Sequence, residues 1–144
     1  MDSCSKEKAP VRGERSHYAL HNHIEITRIQ PGEAEGVLTV HQDSLNLLNV
    51  VHGGGLASLA DSVAGTAVAA TGGVGVTINS TMNYLRPAAG SKITCVGRVR
   101  KAGKTIVLCD VDLTNDQGVL VATGTFTFYR NGMQEMPELE GHQN

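Results

Sequence analysis

Between Asp43 and Arg86 the chain contains a single Asp, Glu, Lys or Arg, and it is Asp61. Its neighbours are Leu59, Ala60, Val63 and Ala64, which leave little room for a solvated face. A carboxylate placed among such residues is costly unless it has a partner or a task, and the usual tasks are those of a general base or a nucleophile. A helix beginning near Gly53 or Gly54 puts Asp61 about two turns inside it, too deep to act as an N-cap. Ala57 and Gly65, one turn away on either side, are too small to block access to it.

The second chemical feature is His52-Gly53-Gly54-Gly55 at the start of the same helix. The first N–H groups of a helix have no internal partners and lie at the positive end of its dipole. Glycines there let a ligand oxygen come close, which suits the developing oxyanion of a thioester under attack. The same glycines would also permit a sharp loop-to-helix turn. Neither a GxxxxGK[ST] phosphate loop nor a GxSxG nucleophile elbow is present. Gly53 and Asp61 are about 12 Å apart along a helix rising 1.5 Å per residue. They therefore cannot serve one reacting atom within one chain, and a two-fold dimer with two equivalent sites resolves this. His17, His21 and His23 have spacing compatible with a metal, but only Glu25 joins them, and no metal site is assigned.

These residues need elements to hold them. Ile24 and Ile26, then Ala34, Gly36, Leu38 and Val40, alternate with polar residues around a turn at Gln30-Pro31-Gly32. After the helix, four more alternating segments follow. Val74, Val76, Ile78, Met82 and Tyr84 share one parity, opposite Thr77, Asn79, Thr81 and Asn83. Ile93, Cys95 and Val99 lead to a turn at Ala102-Gly103. Thr105, Val107, Cys109, Val111 and Leu113 run to a turn at 115–118, and Leu120, Ala122, Phe126 and Phe128 complete the set. Period-two alternation with tight turns predicts antiparallel strands, each with one face on a core. The apolar helix must be enclosed. The expected fold is α+β, a curved antiparallel sheet of about six strands wrapped around one long central helix, the hotdog architecture.

One domain of this kind fits 144 residues, spanning 17–130 between a polar, mobile N-terminal arm (1–16) and a polar tail (131–144). Net charge of -2 with 3% aromatic residues argues against a nucleic-acid partner. Cys4, Cys95 and Cys109 form no CxxC pair, and the first fifteen residues carry no apolar signal core, so a reducing, cytoplasmic setting is expected. The run 53–70 is nearly long enough to cross a bilayer, but it is rich in Gly, Ala and Ser and has Asp61 near its middle. It reads as a buried helix of a soluble protein.

The stretch from Asn46 to Asp61, NLLNVVHGGGLASLAD, resembles the signature of the PaaI-like branch of hotdog thioesterases. So do Val76-Thr77-Ile78-Asn79, Tyr84-Leu85-Arg86-Pro87, Lys101-Ala102-Gly103-Lys104 and Val121-Ala122-Thr123-Gly124, in the right order over about residues 20–130. The resemblance implies an acyl-CoA thioesterase that uses no cofactor and self-associates as a homodimer or homotetramer. It makes Asp61 the nucleophile or general base, with the Gly53 N–H holding the carbonyl. His52 and Asn46 would position the carbonyl or the attacking water, and Thr77 would bond near the acid. Gly54, Asn79, Tyr84, Leu85, Arg86, Pro87, Ala102, Gly103 and Lys104 would contact substrate or CoA. Arg86, Lys101 and Lys104 could meet phosphates or simply be solvated. Asn49 stands where the family usually has Gly, and Asn tolerates the left-handed backbone better than most residues. Three competing readings are a non-catalytic acyl-CoA-binding module, a hotdog hydratase or dehydratase, and a scaffold subunit.

Overall fold

The computed structural model describes residues 16–130. The expected tail and all of the arm but Ser16 lie outside that range. Ser16 caps a short helix α1 (His17–His21), accepting from the Ala19 N–H at 3.1 Å. Five residues are too few for a periodic signal, and the sequence did not suggest this helix. Strands β1 (Ile24–Gln30) and β2 (Glu33–Thr39) form a hairpin across Pro31-Gly32, with Gly32 at φ 72°. A 3-10 turn (Gln42–Ser44) and a loop lead into α2 (Gly53–Ala69). Then come β3 (Val76–Tyr84), β4 (Lys92–Ala102), β5 (Ile106–Asn115) and β6 (Leu120–Tyr129).

The six strands make one antiparallel sheet in the order β1-β2-β4-β5-β6-β3. Register shifts interrupt the β1–β2, β3–β6, β4–β5 and β5–β6 pairings, and such bulges bend and twist a sheet. The sheet curls around α2, as the hotdog architecture requires. Ala34, Leu38, Ile93, Cys95, Val107, Cys109, Val111, Leu113, Ala122, Phe126 and Phe128 face inward and are buried. From the helix they meet Leu56, Leu59, Ala60, Val63, Ala64, Ala67 and Val68. The closest approach is at Val63. A Cβ on Gly36 would lie 2.7 Å from its Cγ2, and one on Gly97 3.1 Å from its Cγ1. Two glycines on neighbouring strands therefore set how near the helix comes to the sheet.

Two expectations need correction. The helix is not enclosed all round: Gly54, Ala57, Ser58, Asp61 and Ser62 escape burial, and Asp61 is exposed. Residues three and four apart share a helix face, so these small residues form one open stripe. Nor does β3 bury its apolar parity. It is an edge strand, and Val76 and Ile78 remain 63% and 55% exposed. β3 packs Met82 against the core and bonds Asp61 of α2 through Thr77, but it leaves Val76 and Ile78 in solvent.

Arg130 is the buried charged residue of the described range. It donates to Thr71 Oγ1 and to the carbonyls of Gly72 and Gly103, tying the end of α2 to the β4–β5 turn. Burial pushes the Cys109 thiol up to about 12 and the Cys95 thiol up as well, so neither is a thiolate nucleophile. Among the described residues, no helix is long and apolar enough to cross a membrane.

Candidate active site

The start of α2 is built by its own cap. His52 is the N-cap, and its Nδ1 accepts from the Gly54 N–H at 2.8 Å. With Nδ1 committed as acceptor, the neutral ring carries its proton on Nε2 and can only donate there. The Gly55 N–H bonds the His52 carbonyl at 2.8 Å. Of the three glycines, only Gly53 has an N–H without a partner among the described residues. The expected row of open donors thus narrows to one.

The loop before it is equally determined. Asn46 Oδ1 accepts from the N–H groups of Leu48 and Val50, at 2.8 and 3.3 Å. Its NH2 group is therefore the part able to donate to a ligand. Asn49 has φ 61°, a left-handed conformation that Asn tolerates better than most residues. An isolated bridge between Leu45 and Val51 closes the loop, and the Val51 N–H bonds the Ala88 carbonyl at 2.8 Å. A cavity of about 300 Å³ lies against this loop. Asn46, Gly53, Tyr84, Leu85, Arg86 and Pro87 all line it. The Tyr84 ring packs over Gly53, where a Cβ would meet it at 3.6 Å. Arg86 Nη1 donates to the Leu120 carbonyl at 2.6 Å, so part of its guanidinium is already engaged.

Asp61 lies outside that cavity, farther along the open stripe of the helix. Thr77 Oγ1, from β3, donates to Asp61 Oδ1 at 2.6 Å, and Oδ2 has no partner among the described residues. The bulge between Thr77 and Asn79 interrupts the register of β3 just beside this bond. Asn79 is exposed on the same edge strand. The Ala102–Lys104 turn lies elsewhere, joined through Arg130 to the C-terminal end of α2, about 25 Å along the helix from Gly53. Within one chain, then, the candidate residues named so far are spread along α2 and not gathered in one place.

A second hollow of about 270 Å³ flanks the other side of the helix start, lined among others by Tyr18, His21, His23, Asp43, His52 and Gly54. Gly54 therefore lies apart from the Gly53 cavity. His23 does not sit with His17 and His21 as a ligand set. Its Nε2 donates to Asp43 Oδ1 at 3.0 Å, and its ring stacks on His41 at 3.7 Å. Among the described residues, no group of three or more His, Cys, Asp or Glu could hold a metal. The sequence reading missed Tyr18 and Ser58, whose side chains meet at 2.6 Å between α1 and α2. No spacing signal joins residues forty positions apart.

The thioesterase superfamily model matches residues 48–122. Over 108 residues the chain is 33% identical to acyl-coenzyme A thioesterase 13 of Homo sapiens, covering 72% of this chain and 77% of that one. The solved structure of the Escherichia coli PaaI protein, from the phenylacetic acid degradation operon, superposes with a TM-score of 0.76 at 30% identity, covering 80% of this chain and 84% of that one. A hypothetical thioesterase protein of Streptococcus pneumoniae, solved with coenzyme A, gives a TM-score of 0.73 at 34% identity, covering 78% of this chain and 88% of that one. That protein has also been solved as an Asp-to-Ala and a Thr-to-Ala variant, at positions sixteen apart, the spacing of Asp61 and Thr77. The curved sheet around one helix is the hotdog fold of these thioesterases. The chain belongs to the thioesterase superfamily, in its PaaI-like branch, and is a thioester hydrolase.

Proposed function

We propose that this protein hydrolyses acyl-CoA thioesters to a carboxylate and free CoA, in a site completed across a two-fold axis between two copies of the chain. The observation that carries this reading is the separation of acid from donor. The Asp61–Thr77 pair stands open beside an apolar edge strand, while the free Gly53 N–H lies about 12 Å along the helix. A second copy brings its own Gly53 turn to this Asp61. The coenzyme A held by the Streptococcus pneumoniae relative, and that protein's variants at an equally spaced Asp and Thr, support the same assignment.

In this reading the thioester carbonyl points at the Gly53 N–H, with the Asn46 amide beside it. Asp61 of the other copy takes a proton from water as the water oxygen bonds the carbonyl carbon, or attacks that carbon itself to form a mixed anhydride that water hydrolyses once CoA has left. Thr77 fixes the carboxylate through Oδ1 and leaves Oδ2 for this step. The negative charge that develops on the carbonyl oxygen is met by the fixed N–H dipole. The C–S bond then breaks, and the CoA thiolate leaves and takes up a proton. No electrons change hands, so the step needs no redox cofactor. The pantetheine arm lies along Tyr84–Pro87 in the Gly53 cavity. The Ala102–Lys104 turn, at the far end of α2, serves the site that its own chain's Asp61 completes. The compartment that fits its free, buried thiols is a reducing one, the cytoplasm.

The test is thiol release from acetyl-, hexanoyl-, palmitoyl- and phenylacetyl-CoA. Asp61→Asn is expected to lose about 10²–10⁴-fold in kcat while keeping its melting temperature, because the side chain is exposed. Thr77→Val should cost about ten-fold in kcat, as one hydrogen bond to a charged group does. Full turnover by Asp61→Asn overturns the assignment. A wild-type protein that binds these thioesters and cleaves none of them is an acyl-CoA-binding module instead.

A further inference from the structure

The free Gly53 N–H ends a chain of hydrogen bonds that begins on α1. Ser58 Oγ donates to the Gly54 carbonyl at 2.8 Å. A serine hydroxyl has one proton, so in the 2.6 Å contact between Tyr18 and Ser58 the tyrosine hydroxyl is the donor. The Gly54 carbonyl shares its peptide unit with the Gly55 N–H, which donates to the His52 carbonyl at 2.8 Å. The His52 carbonyl shares its peptide unit with the Gly53 N–H. A second donor, the Leu56 N–H, reaches that same carbonyl at 3.2 Å. Every bond in the series points the same way, from Tyr18 through Ser58, Gly54 and Gly55 to His52 and Gly53.

Direction matters because an amide is conjugated. A bond donated to its oxygen draws density from its nitrogen and makes the attached N–H a stronger donor, so aligned chains polarise one another. We propose that Tyr18 and Ser58 are positioning residues for thioester hydrolysis, acting through two peptide units to strengthen the Gly53 N–H. The proposal rests on the reading of that N–H as the oxyanion donor. The bland account is that a helical serine often bonds the carbonyl four residues back, and that Tyr18 merely anchors α1. The two accounts predict different observables. An anchor acts on stability; a polarising relay acts on kcat, because its benefit grows only when charge develops on the carbonyl oxygen.

The experiment uses the full chain and the acyl-CoA of the panel with the highest kcat/KM. A whole oxyanion donor is worth about 10²–10³-fold, and a relay passing 10–30% per bond through two peptide units supplies about 1–9% of its strength, an effect of up to about two-fold. Ser58→Ala should lower kcat by that amount with KM unchanged, and Ser58→Thr, which keeps the hydroxyl, should restore it. Tyr18→Phe should act in the same direction but more weakly, since water can replace a phenol at this exposed position. The double variant Tyr18→Phe/Ser58→Ala should be no worse than Ser58→Ala alone, since the tyrosine acts through the serine. Placing 3-fluorotyrosine at position 18, a better donor of nearly the same shape, should raise kcat while the phenol stays protonated. Unchanged kcat in Ser58→Ala overturns the proposal, as does a loss that tracks melting temperature or that Ser58→Thr fails to restore. Asp61→Asn, run alongside, separates the two levels. If it is inactive while Ser58→Ala is fully active, the relay alone falls; if it is fully active, the underlying site falls with it.

Discussion

Asn49 holds a left-handed backbone at φ 61° in the loop that delivers both Asn46 and Gly53. For most L-residues that conformation costs about 1–2 kcal/mol, and Asn bears it more easily. Asn49→Ala should therefore destabilise the protein by about 1 kcal/mol in a denaturant titration. Asn49→Gly should stay within about 0.5 kcal/mol of wild type, since the strain it relieves is offset by the extra freedom of glycine when unfolded. Equal stability of the alanine variant would mean that the loop does not need this geometry. The departure from the family residue was visible in the sequence, and so was its remedy, because backbone preference is a property of one residue. Asp61 was visible for a similar reason: it interrupts a long stretch otherwise free of Asp, Glu, Lys and Arg. What no single position could disclose is which donors remain free. That depends on His52 turning its ring back to take the Gly54 N–H, a contact set by rotamer and not by residue type.

Elements were legible where one period decides one face. Alternation located all six strands, since inward residues of β2, β4, β5 and β6 do meet a core, and the helix was legible as a long run of small apolar residues. It erred on β3 because periodicity says which side chains share a face, while what covers that face depends on strand order. How closely α2 seats against the sheet is set at Val63, beside Gly36 and Gly97. Gly36→Ala puts a methyl 2.7 Å from Val63 Cγ2 and also crowds the Glu25 carbonyl at 3.1 Å. Neither neighbour is the free end of a flexible side chain. The expected cost is about 1–3 kcal/mol, as for other overpacked cores. Adding Val63→Ala, which removes the clashing methyl, should recover part of that loss, a non-additivity readable by thermal melting. If the two effects simply add, the helix is not seated on Gly36.

At the scale of the whole molecule, the proposed mechanism takes its acid and its oxyanion donor from two copies of the chain. β3 is an edge strand whose outer edge is open and whose Val76 and Ile78 lie in solvent, an arrangement that invites pairing with a second copy. Complementation tests this more sharply than a count of subunits. Gly53→Pro removes the N–H at the first helical position, where proline is well tolerated. His52 before it already has φ -58° and ψ 137°, the conformation favoured ahead of proline, and an added Cβ would meet the Tyr84 ring only at ordinary contact distance. Gly53→Pro and Asp61→Asn should each be nearly inactive alone. When equal amounts are unfolded and refolded together, half of the dimers are hybrids. In each hybrid the intact Asp61 of one chain faces the intact Gly53 of the other, restoring one of its two sites and about a quarter of wild-type activity overall. A site contained within one chain would leave both halves of every hybrid broken, and the mixture would stay as inactive as its components.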